Sequence, residues 1–501
     1  MSSGCAMRFV VHTTALALCV ALIGCVSSRG LHTTGTLTDP RSLKAEQSLA
    51  DVPLSPTAWP AEDWWIGFGD PQLTALINEA LRNNPSLDEV EARARQAQAV
   101  ADGADANRRP RVDLHSEIAG AELSKKDPLY PEYVLGQFGW LKSATMNFSW
   151  DLDLWGGKRQ AWEAALGRSR AAQIDAYGTR IQLSVNVARA YVRLGYAFSQ
   201  QDVAEAELER AGKTLALVHR MVAGGLGARQ QESLADSQVA SAEQQKSQAD
   251  RAIDAARSSL SVLVGQGPDR GLAITRPHLL DPVGIALPDT LSVDLIGRRA
   301  DLVAARWQVE AASRNIKATK TEFLPNVSLG AMGGLIALGK TVSVGNLFQT
   351  AAGTYSAGPA LTLPIFDGGR LRAKLGSDDA AYDQMVARYN GMLIAALNDA
   401  SDTLSALASV RKQIALEKRA QQDALKSWED AMSEYKGGVS GPLTPLISRQ
   451  QLLIADQRTA LLESEEADIS VRLIEALGGG FGAASNANSL SRGGDCCGAG
   501  G

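Results

Sequence analysis

The residues Gly334-Leu335-Ile336-Ala337-Leu338-Gly339-Lys340-Thr341 fit the pattern GxxxxGK followed by Ser or Thr, the spacing of a phosphate-binding loop. That chemistry needs the loop to open a helix, so that backbone N–H groups point at phosphate while Lys and Thr serve the terminal phosphate and Mg²⁺. Here Val342-Ser343-Val344-Gly345-Asn346 follows, which is no helix start, and no apolar strand ending in Asp offers a metal partner. Nucleotide binding is not expected. The histidines, His12, His32, His115, His219 and His278, never stand at ligand spacing. Of the cysteines, Cys5, Cys19, Cys25, Cys496 and Cys497, none lies between residues 26 and 495, which removes disulfides and thiolate metal sites from the body. The chain does not read as an enzyme, and no metal, cofactor or catalytic residue is expected. A net charge of −5 without a basic run argues against nucleic acid.

One thiol does have a chemistry. Arg8, the apolar run Ala15–Ile23 and the small Gly24 describe a secretory signal peptide, too short to span a membrane stably. Leu22-Ile23-Gly24-Cys25 resembles a bacterial lipobox. The resemblance implies that Cys25 becomes the mature first residue, with diacylglycerol on sulfur and a further acyl chain, such as palmitate, on the freed amine. Two or more chains anchor a protein stably. Val26, which is not Asp, implies by analogy that the protein is not retained at the inner membrane. The Ser-, Thr- and Pro-containing stretch to Pro60 reads as a tether, or as extended chain lying along the body.

The elements that follow are of two kinds. From Ala144, the residues Ala144, Met146, Phe148, Trp150 and Leu152 alternate with Thr145, Asn147, Ser149, Asp151 and Asp153, so residues 143–153 form a strand with one greasy and one wet face. Gly156 and Gly157 joint this strand to a proline-free helical pattern from Lys158 to about Ala223, which would reach roughly 100 Å. The same joint recurs at Gly368 and Gly369, after a strand carrying Ala357, Leu361, Leu363 and Ile365. Earlier strands begin after Pro110 (Val112, Leu114, Ile118) and Pro325 (Val327, Leu329, Ala331), and the phosphate-loop look-alike falls in the Gly-rich loop that follows the second of these. Asp70-Pro71 caps a first helix, Ser86 is placed to cap the next, and a later helix covers about Ser292–Glu322. Gly224, Gly225 and Gly227 turn the first long helix back toward Val264. Gly437 and Gly438 turn the second, and the returning helix repeats Leu446, Leu453, Ala460, Ala467 and Ile474 every seven residues.

The landmarks pair off. Pro110 with Pro325, Gly157 with Gly369, Gly225 with Gly438, and Gly265 with Gly478 are separated by nearly one spacing, the mark of an internal duplication. Each half offers two amphipathic strands and a long helical hairpin. Strands of about ten residues match a bilayer crossing, but four cannot close a barrel, and open edges are not tolerated in lipid. Several copies must therefore combine. An elongated soluble helical protein with minor β decoration is the competing reading of the pattern alone.

The stretches Trp64-Trp65 with Asp70-Pro71, Ser149–Gly157, Leu291–Asp301, Phe323-Leu324-Pro325, Leu361–Gly369, Tyr389-Asn390 and Ala476–Gly480 resemble the outer-membrane factor family, the exit ducts of tripartite efflux systems, and especially its lipoprotein branch. The resemblance implies a homotrimer, a twelve-stranded outer-membrane β-barrel and a long α-helical periplasmic barrel. It also implies a periplasmic adaptor and an inner-membrane pump as partners, and a gate at the periplasmic turns, Met221–Gln231 and Tyr435–Pro445. Val439-Ser440-Gly441-Pro442-Leu443-Thr444-Pro445 lacks the acidic residues many relatives place there, and Ala300 stands where Pro is more usual. The expected organisation is a signal peptide (1–24), a lipidated tether (25–60), a first repeat (61–267), a link (268–290), a second repeat (291–481) and a disordered tail (482–501). The expected function is a passive, gated exit duct for small molecules. A type I secretion duct and a periplasmic coiled-coil lipoprotein are the alternatives.

Overall fold

A computed structural model describes residues 27–43, 59–122, 124, 126, 136, 138–278, 296–340 and 344–482. Asp70 opens the first helix, α1 (Pro71–Asn83), its Oδ1 accepting from the backbone N–H of Gln72 at 2.8 Å and of Leu73 at 3.1 Å. The next helix, α2 (Pro85–Ala106), is capped two residues earlier than expected. Asn84 Oδ1, not Ser86, is the acceptor, taking the Ser86 N–H at 2.9 Å and its hydroxyl at 2.7 Å. Pro85 occupies the first helical position, where no donor is needed.

Two strands follow, β1 (Arg111–Glu122) and β2 (Phe138–Asp151), then helices α3 (Gly157–Ala223) and α4 (Arg229–Leu263). The second half repeats the order: α5 (Ala300–Thr321), β3 (Asn326–Gly339), β4 (Gly353–Thr362), α6 (Arg370–Lys436) and α7 (Leu443–Ala476). The long helices α3 and α6 are 67 residues each, and their return partners 35 and 34, so the duplication extends to element length.

Several expected boundaries move. β2 begins at Phe138 rather than 143 and ends before Leu152 and Asp153. β4 ends at Thr362, leaving Leu363 and Ile365 outside it. Gly334–Gly339 is not loop but the outer half of β3, which disposes of the phosphate-loop geometry: an extended strand offers no ring of converging N–H groups. The later helix starts as α5 at Ala300; residues 292–295 lie outside the described residues, as do Cys25 and residues 483–501.

The strands form one antiparallel sheet in the order β1-β2-β3-β4, with Leu114 opposite Met146, Met146 opposite Gly333, and Gly333 opposite Tyr355. Packing divides the chain into two units, and each draws on both repeats. One holds the sheet, Ala94–Ala171, Ala305–Arg388 and the described residues up to Leu37; the other holds Thr38–Arg93, Ala172–Ala304 and the chain from Tyr389.

In the second unit, Trp64, Trp65 and Phe68 bury against Leu73, Leu76, Ile77 and Leu194. The fully buried Tyr191 hydroxyl donates to Asp70 Oδ2 at 2.8 Å, so the capping aspartate also ties α1 to α3. This explains why Trp64-Trp65 and Asp70-Pro71 occur together.

In the first unit, Asp379 on α6 is 6% exposed, and neither carboxylate oxygen has a hydrogen-bond partner among the described residues. Burial pushes its pKa up; Asp383 and Asp378 add to this, and Lys320 and His32 oppose it. A raised folded pKa contributes stability below the ordinary carboxylate range and loses it as pH rises. Asp379→Asn is therefore expected to raise the thermal midpoint at pH 8, with the gain shrinking as pH is lowered. Thermal melts at three pH values check this, and a gain independent of pH would contradict it.

Candidate functional site

The sheet has two unlike faces. One carries Val112, Leu114 and Ile118 of β1, Met146 and Phe148 of β2, Val327, Leu329 and Leu335 of β3, and Tyr355 and Leu361 of β4. Leu114 is 73% exposed and Tyr355 90%, a degree of exposure that large apolar side chains avoid in water. The other face carries Arg111, Asp113, His115 and Glu117, then Asn147 and Ser149, Ser328, Ser356 and Thr362. Arg111 and Asp113 pair at 2.7 Å along β1. Toward the end of the sheet away from the helices this second face becomes small or apolar, with Ala119, Leu141 and Leu338 in one row. A sheet greasy on one side and wet on the other, with open edges at β1 and β4, is a segment of a membrane barrel.

The joints at the helical end are built on aspartates that the strand pattern hid. Asp153 has a positive φ of 47°, and its carboxylate accepts from the N–H of Lys158 at 2.8 Å and of Arg159 at 2.9 Å, capping α3. It is therefore not a residue of the wet face. Asp367 does the same for α6, accepting from the N–H of Gly369 at 3.0 Å and of Leu371 at 2.8 Å. Among the joint glycines, Gly156, Gly368 and Gly369 take positive φ. Gly157 is required for space instead: a Cβ there would stand 2.0 Å from Thr321 Oγ1. Asp is a favoured cap type, and the position of Asp153 and Asp367 just before the two helices is the signal that the strand alternation masked.

The turns lie in the second unit. After α3, the N–H of Leu226 donates to Met221 O at 2.8 Å, and Gly225 takes φ 70°. After α6, the N–H of Val439 donates to Glu434 O at 2.9 Å, and Gly438 takes φ 74°. Both are helix ends closed by a left-handed glycine and a six-to-one hydrogen bond. Gly224, Gly227 and Gly437 complete the turns. The first turn is braced by His219 Nδ1 and Glu232 Oε1 at 2.8 Å and by Gln231 Oε1, which accepts from the Ala228 N–H at 3.1 Å. Leu226 and Val439, equivalent in the two repeats, are each 81% exposed.

Among the described residues no helix is long and apolar enough to cross a membrane, and no group of His, Cys, Asp and Glu could hold a metal ion. The fold and its faces define an outer-membrane channel subunit whose strands meet lipid and whose long helices stand in the periplasm. The chain belongs to the family described as outer membrane efflux protein, which matches residues 76–266 and again 291–479. It is similar to the fusaric acid resistance protein FusA of Burkholderia cepacia, 34% identical over 73% of this chain and 68% of that one. It is also similar to the multidrug resistance outer membrane protein MdtP of Shigella flexneri, 30% identical over 89% of this chain and 92% of that one. Among solved structures, the outer membrane protein VceC of Vibrio cholerae is 32% identical, with a TM-score of 0.75 over 85% of this chain and 100% of that one. The CmeC outer membrane channel of Campylobacter jejuni shares the fold, with a TM-score of 0.81 over 92% of this chain and 98% of that one at 20% identity. Such channels are trimeric, and four strands from each of three copies close a twelve-stranded barrel that continues into a helical one.

Proposed function

We propose that this chain is the passive, gated exit duct of a tripartite efflux system, receiving small molecules from an inner-membrane pump through a periplasmic adaptor. The observation that carries this reading is the sheet with one lipid-compatible face, one wet face and two open edges, joined through capped hinges to paired helices. A wet passage needs no cofactor, and the energy belongs to the pump. The names of FusA and MdtP, fusaric acid resistance and multidrug resistance, support small molecules as cargo. Cys25, acylated, anchors the chain in the outer membrane.

The periplasmic turns hold the gate in this reading. Gly224, Gly225, Gly227, Gly437 and Gly438 let each hairpin reverse without side-chain bulk, and Leu226 and Val439 offer the adaptor an apolar contact at both tips. Single-channel recording in planar bilayers tests the gate. Deleting Gly224–Gly227, or Gly437–Gly438, is expected to give larger conductance steps than the wild type. Steps of unchanged size in both deletions, from trimers shown to be intact, would place the gate elsewhere.

A further inference from the structure

The wet face of the sheet carries its charge almost entirely on one strand. Along β1 the order is Arg111, Asp113, His115 and Glu117, each two residues from the next and so neighbours on one face. Opposite them on β2 stand Ser149, Asn147, Thr145 and Ser143. Among the described residues, β3 and β4 add no charged side chain to this face, and β2 adds only Asp151, which Lys158 neutralises at 2.6 Å. The fold itself does not require the charges. At the spacing that relates Pro110 to Pro325, the counterparts on β3 are Asn326, Ser328, Gly330 and Met332, all neutral.

The four groups on β1 make two pairs of different kinds. Arg111 Nε lies 2.7 Å from Asp113 Oδ2, and a guanidinium never gives up its charge, so this pair is permanently balanced. His115 Nε2 lies 3.5 Å from Glu117 Oε2, with both side chains more than half exposed. Here the cation exists only when the imidazole holds a second proton. Among the described residues, Glu117 is therefore the one carboxylate of the wet face with no permanent cationic partner.

Twelve strands about 4.8 Å apart and tilted about 40° enclose a wall of about 12 Å radius. A glutamate reaching inward about 5 Å stands about 7 Å from the axis, inside the Debye length of about 10 Å in 0.1 M salt. Three such carboxylates favour a monovalent cation over an anion by roughly tenfold on the axis. The β4 edge of the next copy, which meets β1 when the barrel closes, brings no charge in any register. We propose that Glu117 is the charge filter of the duct and His115 its regulator: three copies form a ring that favours cations, and proton uptake by His115 relaxes it. Cationic solutes are then the class of cargo that the barrel passes most readily at neutral pH. This rests on the wet face lining the lumen, and the test separates the two ideas.

The experiment measures the potassium-to-chloride permeability ratio of gel-verified trimers of the full chain in planar bilayers, from reversal potentials in potassium chloride gradients near 0.1 M, at pH 8 and again at pH 5.5, a range across which histidine characteristically changes its charge. The wild type is expected to favour potassium at pH 8 and to lose several-fold of that preference at pH 5.5. Glu117→Gln should lose it already at pH 8 and turn toward chloride at pH 5.5, where His115 stands uncompensated. His115→Asn should keep the potassium preference at both pH values. In about 1 M salt, where the Debye length is about 3 Å, the wild type and Glu117→Gln should become alike. A conducting Glu117→Gln with the wild-type ratio at pH 8 would overturn the filter and leave the duct intact. A His115→Asn channel that follows pH as the wild type does would overturn the regulator. Intact trimers that stay silent even after deletion of Gly224–Gly227 and Gly437–Gly438 would contradict the duct itself.

Discussion

Replacing Gly478 by alanine is expected to cost the trimer most of its heat resistance. Gly478 closes α7 with a φ of 97°, and the Gly479 N–H donates back to Ile474 O at 2.8 Å. A Cβ at 478 would stand 1.9 Å from the carbonyl oxygen of Arg298 and 2.8 Å from its carbon, both main-chain atoms that no rotamer change can move. The left-handed conformation costs an L-residue about 1–2 kcal/mol, and forcing the backbone apart about 1–3 more. Each of three copies bears that cost. Gly438→Ala is the control, since Gly438 has a φ of 74° but nothing within 4 Å of a built Cβ. Heating the purified trimer in steps before electrophoresis should show Gly478→Ala dissociating well below the wild type and Gly438→Ala only slightly below it. Equal losses in both would mean that the close approach at Arg298 carries no weight. Gly265, the counterpart in the first repeat, meets Asn83 O at 2.4 Å and should behave like Gly478.

The second large effect concerns the two faces of the sheet. Leu114→Arg puts a charge in the middle of the apolar face, where arginine costs about 2–4 kcal/mol in the bilayer midplane, again in three copies. Asn147→Arg, on the opposite face, meets water. The first is expected to abolish recovery of trimers from the outer-membrane fraction. The second should assemble normally and shift ion selectivity toward anions in bilayer recordings. Normal assembly of Leu114→Arg would mean that this face does not meet lipid.

Much of this was legible because the informative residues are glycines and prolines with local jobs. Gly225, Gly265, Gly438 and Gly478, which mark the duplication in the sequence, are the glycines with positive φ that end α3, α4, α6 and α7. The ends of the long helices could be read to within a residue for that reason. Strand ends could not. The period of two runs on through Leu363 and Ile365, but Pro364 lacks the N–H a ladder requires. In β3 the glycines suggested a loop, whereas they admit close strands: a Cβ on Gly334 would stand 2.2 Å from Ala144 O. Asp383 was invisible because its partners, Thr34 and Gly35, stand nearly 350 residues away in sequence. A long-range hydrogen bond leaves no periodic trace.

A sheet that separates lipid from a water-filled lumen must show alternating cysteine accessibility along β2. With Cys496 and Cys497 changed to serine, single cysteines at 143, 144, 146, 147, 148 and 149 are placed in trimers reconstituted into nanodiscs. A membrane-impermeant thiol reagent is then applied. Cysteines at 143, 147 and 149 should label and those at 144, 146 and 148 should resist. Uniform labelling, or the reverse alternation, would contradict a barrel wall at this sheet.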